Sequence, residues 1–557
     1  MKIFGTIYPF VETGSGSYML GRHVANFEFL RALLSANEFD EYHLFCMNAS
    51  HVRMTVDKIN HVSLPAKIGG KIKIFKYDDL INRLKVTEYY VFHLGGWGYF
   101  FAGLVHLRNN YAKAPFPITG VIHSMNGVET NYHAHKIIYA PLMPYDTVVC
   151  TSEAGRRVFN KTVDGVSEAL NLHGAKVSYS GGTKMIPLGV DDDFEPPADK
   201  LTCRRKLGLP EDAFITLMLG RFSIQTKMDL FPALQCQKRL TQAKLLLPAH
   251  MVIAGGGTAK DIMLVKEMIL ELGIGDSTTL VTNFETHKKT LLYGAADAYL
   301  SVSDNIQETF GISVVEAMMA GVPPVVSDIN GYKELLEHDV HGFKVPTCWI
   351  EHFDRAKLAE IMNFETMQLM LAQCMAVDSE VMYESLFTLA TEPERAEKMG
   401  AAAKEHARGN YSWFEIMKQY HAMWDALWLQ AKNSEALPFN VENAFINEYL
   451  KVFSHYPTMR LSDELICRIT PVGRNALADG RVPASYEDIQ SLLEVDYQGA
   501  ILGTLSNGDF SVGDIIKRRP SGMSESDAGF NILWMAKYSL LAISKIENSH
   551  VDAHFLT

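Results

Sequence analysis

A chain of 557 residues exceeds what one ordinary hydrophobic core can organise, so at about 100–200 residues per domain it should divide into two to four domains. Hydrophobic residues make up 47% and charged residues 21%, which excludes a largely disordered chain. The formal net charge of −12 argues against a nucleic-acid-binding surface spread over the whole protein.

Seven cysteines (Cys46, Cys150, Cys203, Cys236, Cys348, Cys374 and Cys467) stand singly, with no C-x-x-C pair. Such usage suits a reducing compartment and carries no zinc signature. The opening "MKIFGTIYPF" lacks the long apolar region and small-residue cleavage site of a signal peptide. No run reaches the ~18 apolar residues of a membrane span. A cytoplasmic protein without a transmembrane segment is expected.

In chain order, short apolar runs ending in Gly, Ser or Asp alternate with longer stretches of helical period, the pattern of a parallel α/β sheet. "MKIFGTIYPF", "EYHLFCMN", "YYVFHLGG", "ITGVIHS" and "DTVVCTS" read as strands of a first unit. "MIPLGVDDDFEPPADK" (185–200), rich in Pro, Asp and Gly, reads as a hinge. "AFITLMLGR", "HMVIAGGG", "STTLVTNF", "DAYLSVSD" and "PPVVSD" read as strands of a second unit. Two doubly wound Rossmann-like domains facing across a cleft are expected at 1–195 and 196–410, since such sheets bind ligands beyond the carboxyl ends of their strands. From about Phe353 to Trp428 the pattern turns helical, and "YSWFEIMKQYHAMWDALW" repeats apolar residues every three or four positions, predicting a docking helix over 411–432.

Six stretches carry candidate chemistry. In "AYLSVSDNIQETFGISVVEAMMAG" (298–321) a strand leads into a loop with Glu308 and then a helix with Glu316, closed by Gly321. The amides of Thr309, Phe310 and Gly311 start that helix, a ready site for phosphate or a polar hydroxyl. Two carboxylates beside such amides suit a ligand rich in vicinal diols and phosphate, such as a nucleotide sugar. Two glutamates taken alone are more often solvated side chains. "LGRFSIQTKMDL" puts Arg221 at a strand end and Lys227 six residues on; alone, that pair too is more often surface charge. "ETGSGSYMLGRHV" (12–24) offers Gly14, Gly16 and Gly21 without a G-x-G-x-x-G dinucleotide fingerprint. "GVIHSMNG" puts His123 at a strand end, where a structural histidine is the commoner outcome, and His93 in "FHLGGWGYF" is a second candidate for acceptor contact. "VIAGGGTAKD" is either a tight strand–helix turn or a contact near a nucleotide base.

The succession of strand, E-T-F-G, seven residues between the glutamates, E-A-M-x-A-G-x-P-x-V-x-S and then "GYKELLEHDVHGFKVP" resembles the donor-sugar motif of retaining glycosyltransferases of family 4, which have the two-Rossmann-domain (GT-B) fold. The resemblance covers roughly 1–430, most specifically 219–346. It implies that Glu316 binds the nucleotide ribose and Glu308 the donor sugar. It further implies that Arg221 and Lys227 neutralise the donor diphosphate, that Gly16 approaches the phosphates, and that His123 supports the sugar near its anomeric carbon. Transfer would proceed with retention and without metal or other cofactor, the leaving diphosphate receiving charge from fixed cations. The acceptor stays open: a glycan, a small molecule or a polypeptide. A dehydrogenase would need the missing glycine fingerprint, and a phosphorylase a pyridoxal lysine that no motif marks. A non-catalytic nucleotide-sugar-binding protein is the alternative that an assay would separate.

After "AKNSEALP", residues 439–557 lie outside that resemblance. "ENAFINEYLKVFSHY" and "LICRITPVGRNALADG" read as helix and turn, then come helix, N-G turn and a short helix from near Ser511. A long helix follows, capped by Ser524 or Ser526. The pattern weakly resembles a winged-helix module. It would pack as an extension or homo-oligomer contact, or recognise a peptide or protein acceptor. Lys517, Arg518 and Arg519 form the only dense basic run of this segment, so nucleic-acid binding is the weakest of the readings.

Overall fold

The computed structural model describes residues 1–11, 21–62, 64–65, 68–197, 199–285, 287–434, 443, 445–446, 448–480, 483 and 485–545. The chain separates into two units, Met1–Asn443 and Ala444–Thr557.

The first unit contains two parallel sheets. Seven strands, β1 (Ile3–Ile7), β2 (Glu41–Cys46), β3 (Ile72–Lys76), β4 (Val91–Leu94), β5 (Ile118–Val121), β6 (Thr147–Cys150) and β7 (Gly182–Met185), lie in the order β3-β2-β1-β4-β5-β6-β7. Six more, β8 (Phe214–Leu219), β9 (Ala249–Gly255), β10 (Thr278–Thr282), β11 (Ala298–Ser301), β12 (Pro324–Ser327) and β13 (Phe343–Val345), lie in the order β10-β9-β8-β11-β12-β13. Central strands such as β1, β4, β5, β11 and β12 are buried along their whole length, because helices cover both faces of a parallel sheet. In both sheets the order reverses beside the first strand, and the crevice at that switch point is where doubly wound sheets bind ligands.

The order shows three strands that apolar patterning does not reveal, β13 ("FKV") at one edge of the second sheet and two in the first. β3 ("IKIFK") and β7 ("GTKM") close the two edges of the first sheet. An edge strand tolerates lysines, which also discourage edge-to-edge pairing, so its pattern is not an apolar run. A short antiparallel pair, β14 (Thr347–Trp349) with β15 (Met375–Val377), follows the second sheet.

The helix Trp413–Lys432 begins at Ser412, whose side chain accepts the Glu415 amide, and returns to the first domain. Its inner face sets Trp413, Ile416, Tyr420 and Trp424 among Phe4, Phe29 and Phe39. Burying each such side chain is worth ~1.5–3 kcal/mol. The Trp424 indole also donates to Thr119 Oγ1 at 3.2 Å. Chain crossing of this kind ties the two Rossmann-like domains into one unit.

The second unit builds its core from Leu502, Ile515, Ile532 and Met535 and their neighbours. Three antiparallel strands, β16 (Ile466–Ile469), β17 (Phe510–Ser511) and β18 (Leu541–Ser544), lie in the order β17-β16-β18 beside helices Pro471–Asp479, Val495–Leu505, Val512–Lys517 and Glu525–Lys537. Ser511 and Ser524 cap the last two helices, accepting the amides of Asp514 and Asp527. The helical reading of "ENAFINEYLKVFSHY" shrinks to Tyr449–Val452 among the described residues, since that stretch leaves Tyr449 and Leu450 exposed, with no core to cover them. The reading of 439–557 as helix and turn also missed the three strands, which are too short to show an alternating pattern.

Candidate functional site

A cleft of about 1090 Å³ opens between the two Rossmann-like domains, and every residue lining it falls within the first unit. Its second-domain wall is formed at the carboxyl ends of β8, β9 and β11. The first of these delivers Leu219, Gly220 and Arg221. Gly255, at the end of β9, has a specific steric reason: a Cβ there would sit 1.8 Å from the Gly220 carbonyl oxygen, so only glycine lets the two strand ends approach. β11 runs into the loop that carries Glu308.

The Lys227 ammonium donates to Glu308 Oε2 at 2.9 Å and reaches the Tyr332 hydroxyl at 3.4 Å. Burial opposes the charge on Lys227, but the Glu308 carboxylate together with the Tyr332 and Tyr299 hydroxyls outweighs it and holds the amine above its ordinary range. Burial likewise works against an ionised Glu308, and Lys227, the Phe310 amide and Arg221 together keep its carboxyl below the usual value. The Arg221 side chain makes no hydrogen bond or ion pair among the described residues; burial lowers its pKa and Glu308 partly restores it. The site thus holds a compensated cation–carboxylate pair beside a second cation facing the cleft.

The position of Lys227 is enforced by its backbone. Ser303 Oγ and Asn305 Nδ2 both donate to the Lys227 carbonyl, at 3.1 and 2.5 Å, and the Asp229 amide donates to the Asp304 carboxyl at 3.2 and 3.3 Å. Burial, and then the proximity of Asp229, push the Asp304 carboxyl up to about 7.

Glu316 lies in the helix Ile312–Met319 and is buried. Lys289 bonds to its Oε1, and the Tyr293 hydroxyl donates to its Oε2 at 3.0 Å. An ionised carboxylate has about four lone-pair sites, so it retains capacity for a ligand diol. Gly311 starts this helix at φ 120°, and a Cβ there would meet the Tyr332 ring at 2.4 Å. Thr309, Phe310 and Gly311 all line the cleft, but the Phe310 amide is not free for a ligand: it turns back onto Glu308 Oε1 at 3.4 Å.

The first-domain wall brings His123 to the same cleft, and Gly16 falls outside the described residues. Nε2 of His123 lies 3.0 Å from Asn26 Oδ1 and 3.1 Å from the Gly95 carbonyl oxygen, so that nitrogen carries the proton and donates. His93 is corrected from cleft residue to core residue. It is fully buried, its Nδ1 meets Thr119 Oγ1 at 2.9 Å, and it packs against Phe29, Tyr420 and Trp424. Burial pushes its pKa down to about 3, so it stays neutral. The cause is the returning helix, which covers a strand face that sequence alone leaves open. Gly255 and Gly256 of the "VIAGGGTAKD" stretch do line the cleft.

Sequence reasoning missed Lys289, Tyr293 and Tyr332. Lys289 and Tyr293 are four residues apart in the helix Lys288–Ala295, a spacing that puts both on one face and could have flagged them. Tyr332 carries no such signal.

Two Rossmann-like domains meeting at a cleft of this build define the class of GT-B proteins. Residues 199–372 match the family of glycosyl transferases group 1. A D-inositol 3-phosphate glycosyltransferase of Kribbella flavida is 26% identical over 329 residues, 57% of this chain and 66% of that protein. One from Stackebrandtia nassauensis is 31% identical over 178 residues, 31% of this chain and 40% of that protein. The chain therefore spans less than two thirds of the length of either relative. Among solved structures, Anabaena Alr3699/HepE in complex with UDP and glucose superposes with a TM-score of 0.51 at 14% identity, over 76% of this chain and 100% of that one. A sucrose-phosphate synthase from Thermosynechococcus elongatus gives a TM-score of 0.51 at 17% identity, over 77% and 100%. At such identities the likeness is one of fold. No helix among the described residues is long and apolar enough to cross a membrane.

Proposed function

We propose that this protein transfers a sugar from a nucleotide-sugar donor to an acceptor hydroxyl, with retention at the anomeric carbon and without a metal ion. The observation that carries the reading is the convergence of unpaired Arg221 with the Lys227–Glu308 pair on one cleft wall, inside the segment that matches the glycosyl transferases.

Each residue then has a role. Arg221 and Lys227 hold the donor diphosphate and stabilise the charge that grows on it as the sugar departs. Glu308 receives hydroxyls of the donor sugar, and the Thr309–Gly311 segment lies against the same ligand. Glu316, oriented by Lys289 and Tyr293, receives the ribose diol. His123 faces the sugar from the opposite domain. The diphosphate itself takes the proton of the incoming hydroxyl on the face it leaves, so no separate general base is required. In support of a nucleotide-sugar donor, the similarly folded Anabaena protein is a complex with UDP and glucose.

The acceptor enters along the first-domain wall, where Tyr99 and Phe100 follow the glycines of the "GGWGYF" loop. Residues 444–557 serve acceptor recognition or assembly as a winged-helix-like module.

The test is a thermal-shift panel of UDP-, GDP- and ADP-sugars, followed by a transfer or hydrolysis assay on the one that binds. A donor at 100 times its dissociation constant should stabilise by about 2.7 kcal/mol. Turnover should survive excess EDTA, and the anomeric proton coupling of the product should match that of the donor. Loss of turnover in EDTA that magnesium or manganese restores contradicts the metal-independent reading; binding without turnover leaves a nucleotide-sugar-binding protein.

A further inference from the structure

We propose that Ser152 and Glu334 are positioning residues: together they latch the two Rossmann-like domains and hold the Glu308–Gly311 loop in its reactive arrangement. The inference rests on reading the cleft as the site of glycosyl transfer.

The helix Glu153–Leu172 of the first domain opens at Ser152, whose Oγ accepts the Gly155 amide at 3.0 Å as an N-cap. A helix start leaves further amides without intrahelical partners. Two of them, those of Glu153 and Ala154, donate across the domain boundary to Glu334 Oε2 and Oε1 at 2.7 and 2.8 Å. A carboxylate from the second domain therefore caps a first-domain helix, where the helix dipole favours negative charge. The Glu334 backbone is held in turn by the Tyr411 hydroxyl, which donates to its carbonyl at 3.2 Å.

The same turn grips the catalytic loop. Ser152 is 2% exposed, and its Oγ donates to the Thr309 carbonyl at 2.7 Å while Thr151 Oγ1 lies 3.5 Å from Thr309 Oγ1. On its other side the Thr309 carbonyl is backed by Gly331, where a Cβ would come within 2.3 Å of the oxygen. The Thr309–Phe310 peptide, one residue beyond Glu308, is thus clamped between a hydroxyl of the opposite domain and a backbone of its own. Separating the domains would break the Ser152 and Glu334 bonds together and release the residue next to Glu308. Domain closure and assembly of the reactive loop are then a single event, a way for binding energy to complete a catalytic site.

The experiment uses the full chain with Ser152→Ala, Ser152→Thr and Glu334→Gln. Ser152→Ala and Glu334→Gln are expected to raise hydrogen exchange across 306–312 at least tenfold and to lower kcat at least tenfold. The dissociation constant for the free nucleoside diphosphate should move less than threefold, and Ser152→Thr, which keeps the hydroxyl, should restore both readouts. In a double-mutant cycle, Ser152→Ala and Glu308→Gln should be markedly non-additive in kcat, since one acts through the other; a merely structural Ser152 would give additive losses. Unchanged exchange in 306–312, or additive losses, overturns the latch even in an active transferase. Raised exchange in the variants, when the wild type itself turns over no nucleotide sugar, sinks the transferase reading, and with it the reactive role assigned here.

Discussion

Lys227 and Glu308 neutralise one another 2.9 Å apart in a part of the cleft where burial works against both charges, while Arg221, a few residues away in sequence, has no partner among the described residues. The two cations therefore differ in what their loss should do.

Arg221→Ala should cost ~2–4 kcal/mol of transition-state stabilisation, read as kcat/KM, with little change in thermal stability, because no internal bond is lost. Lys227→Ala should cost a similar amount in kcat/KM and, in addition, ~1–3 kcal/mol of folding stability, since Glu308 is left buried and unpaired. Equal melting temperatures for the two variants, or an unchanged rate in both, would contradict the assignment.

The two glutamates should separate in a binding experiment. Glu316→Ala is expected to weaken nucleoside diphosphate affinity by ~10- to 100-fold, about 1.4–3 kcal/mol in lost charge-assisted hydrogen bonds. Glu308→Ala should leave that affinity nearly intact and slow transfer. Calorimetric titration that finds equal affinity for Glu316→Ala and the wild type would remove Glu316 from the ribose site.

Asp304 sets a pH dependence of stability. Its carboxyl titrates near 7 in the folded protein against the ordinary aspartate value of 3.8. Between those values the folded state holds a proton that the unfolded state has released, so stability falls as pH rises through the window, and the penalty is complete above about 7. Asp304→Asn keeps an oxygen for the Asp229 amide and carries no charge. Relative to wild type it should gain stability between pH 5 and pH 8, by up to ~4 kcal/mol. Denaturant titrations that show a constant difference across that range would mean the carboxyl does not titrate there.

His93 belongs to the core, so His93→Ala should destabilise the fold by ~2–4 kcal/mol, the scale of a buried large-to-small change, with kcat per folded molecule unaltered. A normal melting temperature together with a raised acceptor KM would return His93 to the cleft.

Much of the second domain was legible because its chemistry is contiguous in sequence. The stretch 298–321 carries strand, loop glutamate, helix glutamate and terminating glycine in one run, and local spacing alone puts Glu308 and Glu316 on the same sheet edge. The glycines of "VIAGGGTAKD" were legible only as a turn; that Gly255 must be glycine follows from the Gly220 carbonyl of a neighbouring strand, which sequence does not announce. The edge strands β3 and β7 escaped notice because an edge needs neither apolar run nor alternation. The three-stranded sheet of residues 466–544 escaped because strands of two to four residues are shorter than the period that would reveal them.

By itself the sequence determined the alternation of strands and helices, the two doubly wound domains, a helix start near Ser511 and another at Ser524 or Ser526, and the residue types that cleft chemistry would use. These depend on local spacing, burial periodicity and turn chemistry, which act within a few residues. The tertiary structure alone decided which charges meet and which stay apart. It paired Lys227 with Glu308 across 81 positions, left Arg221 open, set Lys289 and Tyr293 on Glu316, and sent Glu334 to the start of a helix 180 residues earlier. It also closed the returning helix over His93, turning a strand-end histidine into a neutral core residue. The reason is physical: a pKa, a hydrogen bond or an ion pair depends on distances of a few ångströms through a low-dielectric interior, and those distances exist only once remote segments have been packed together.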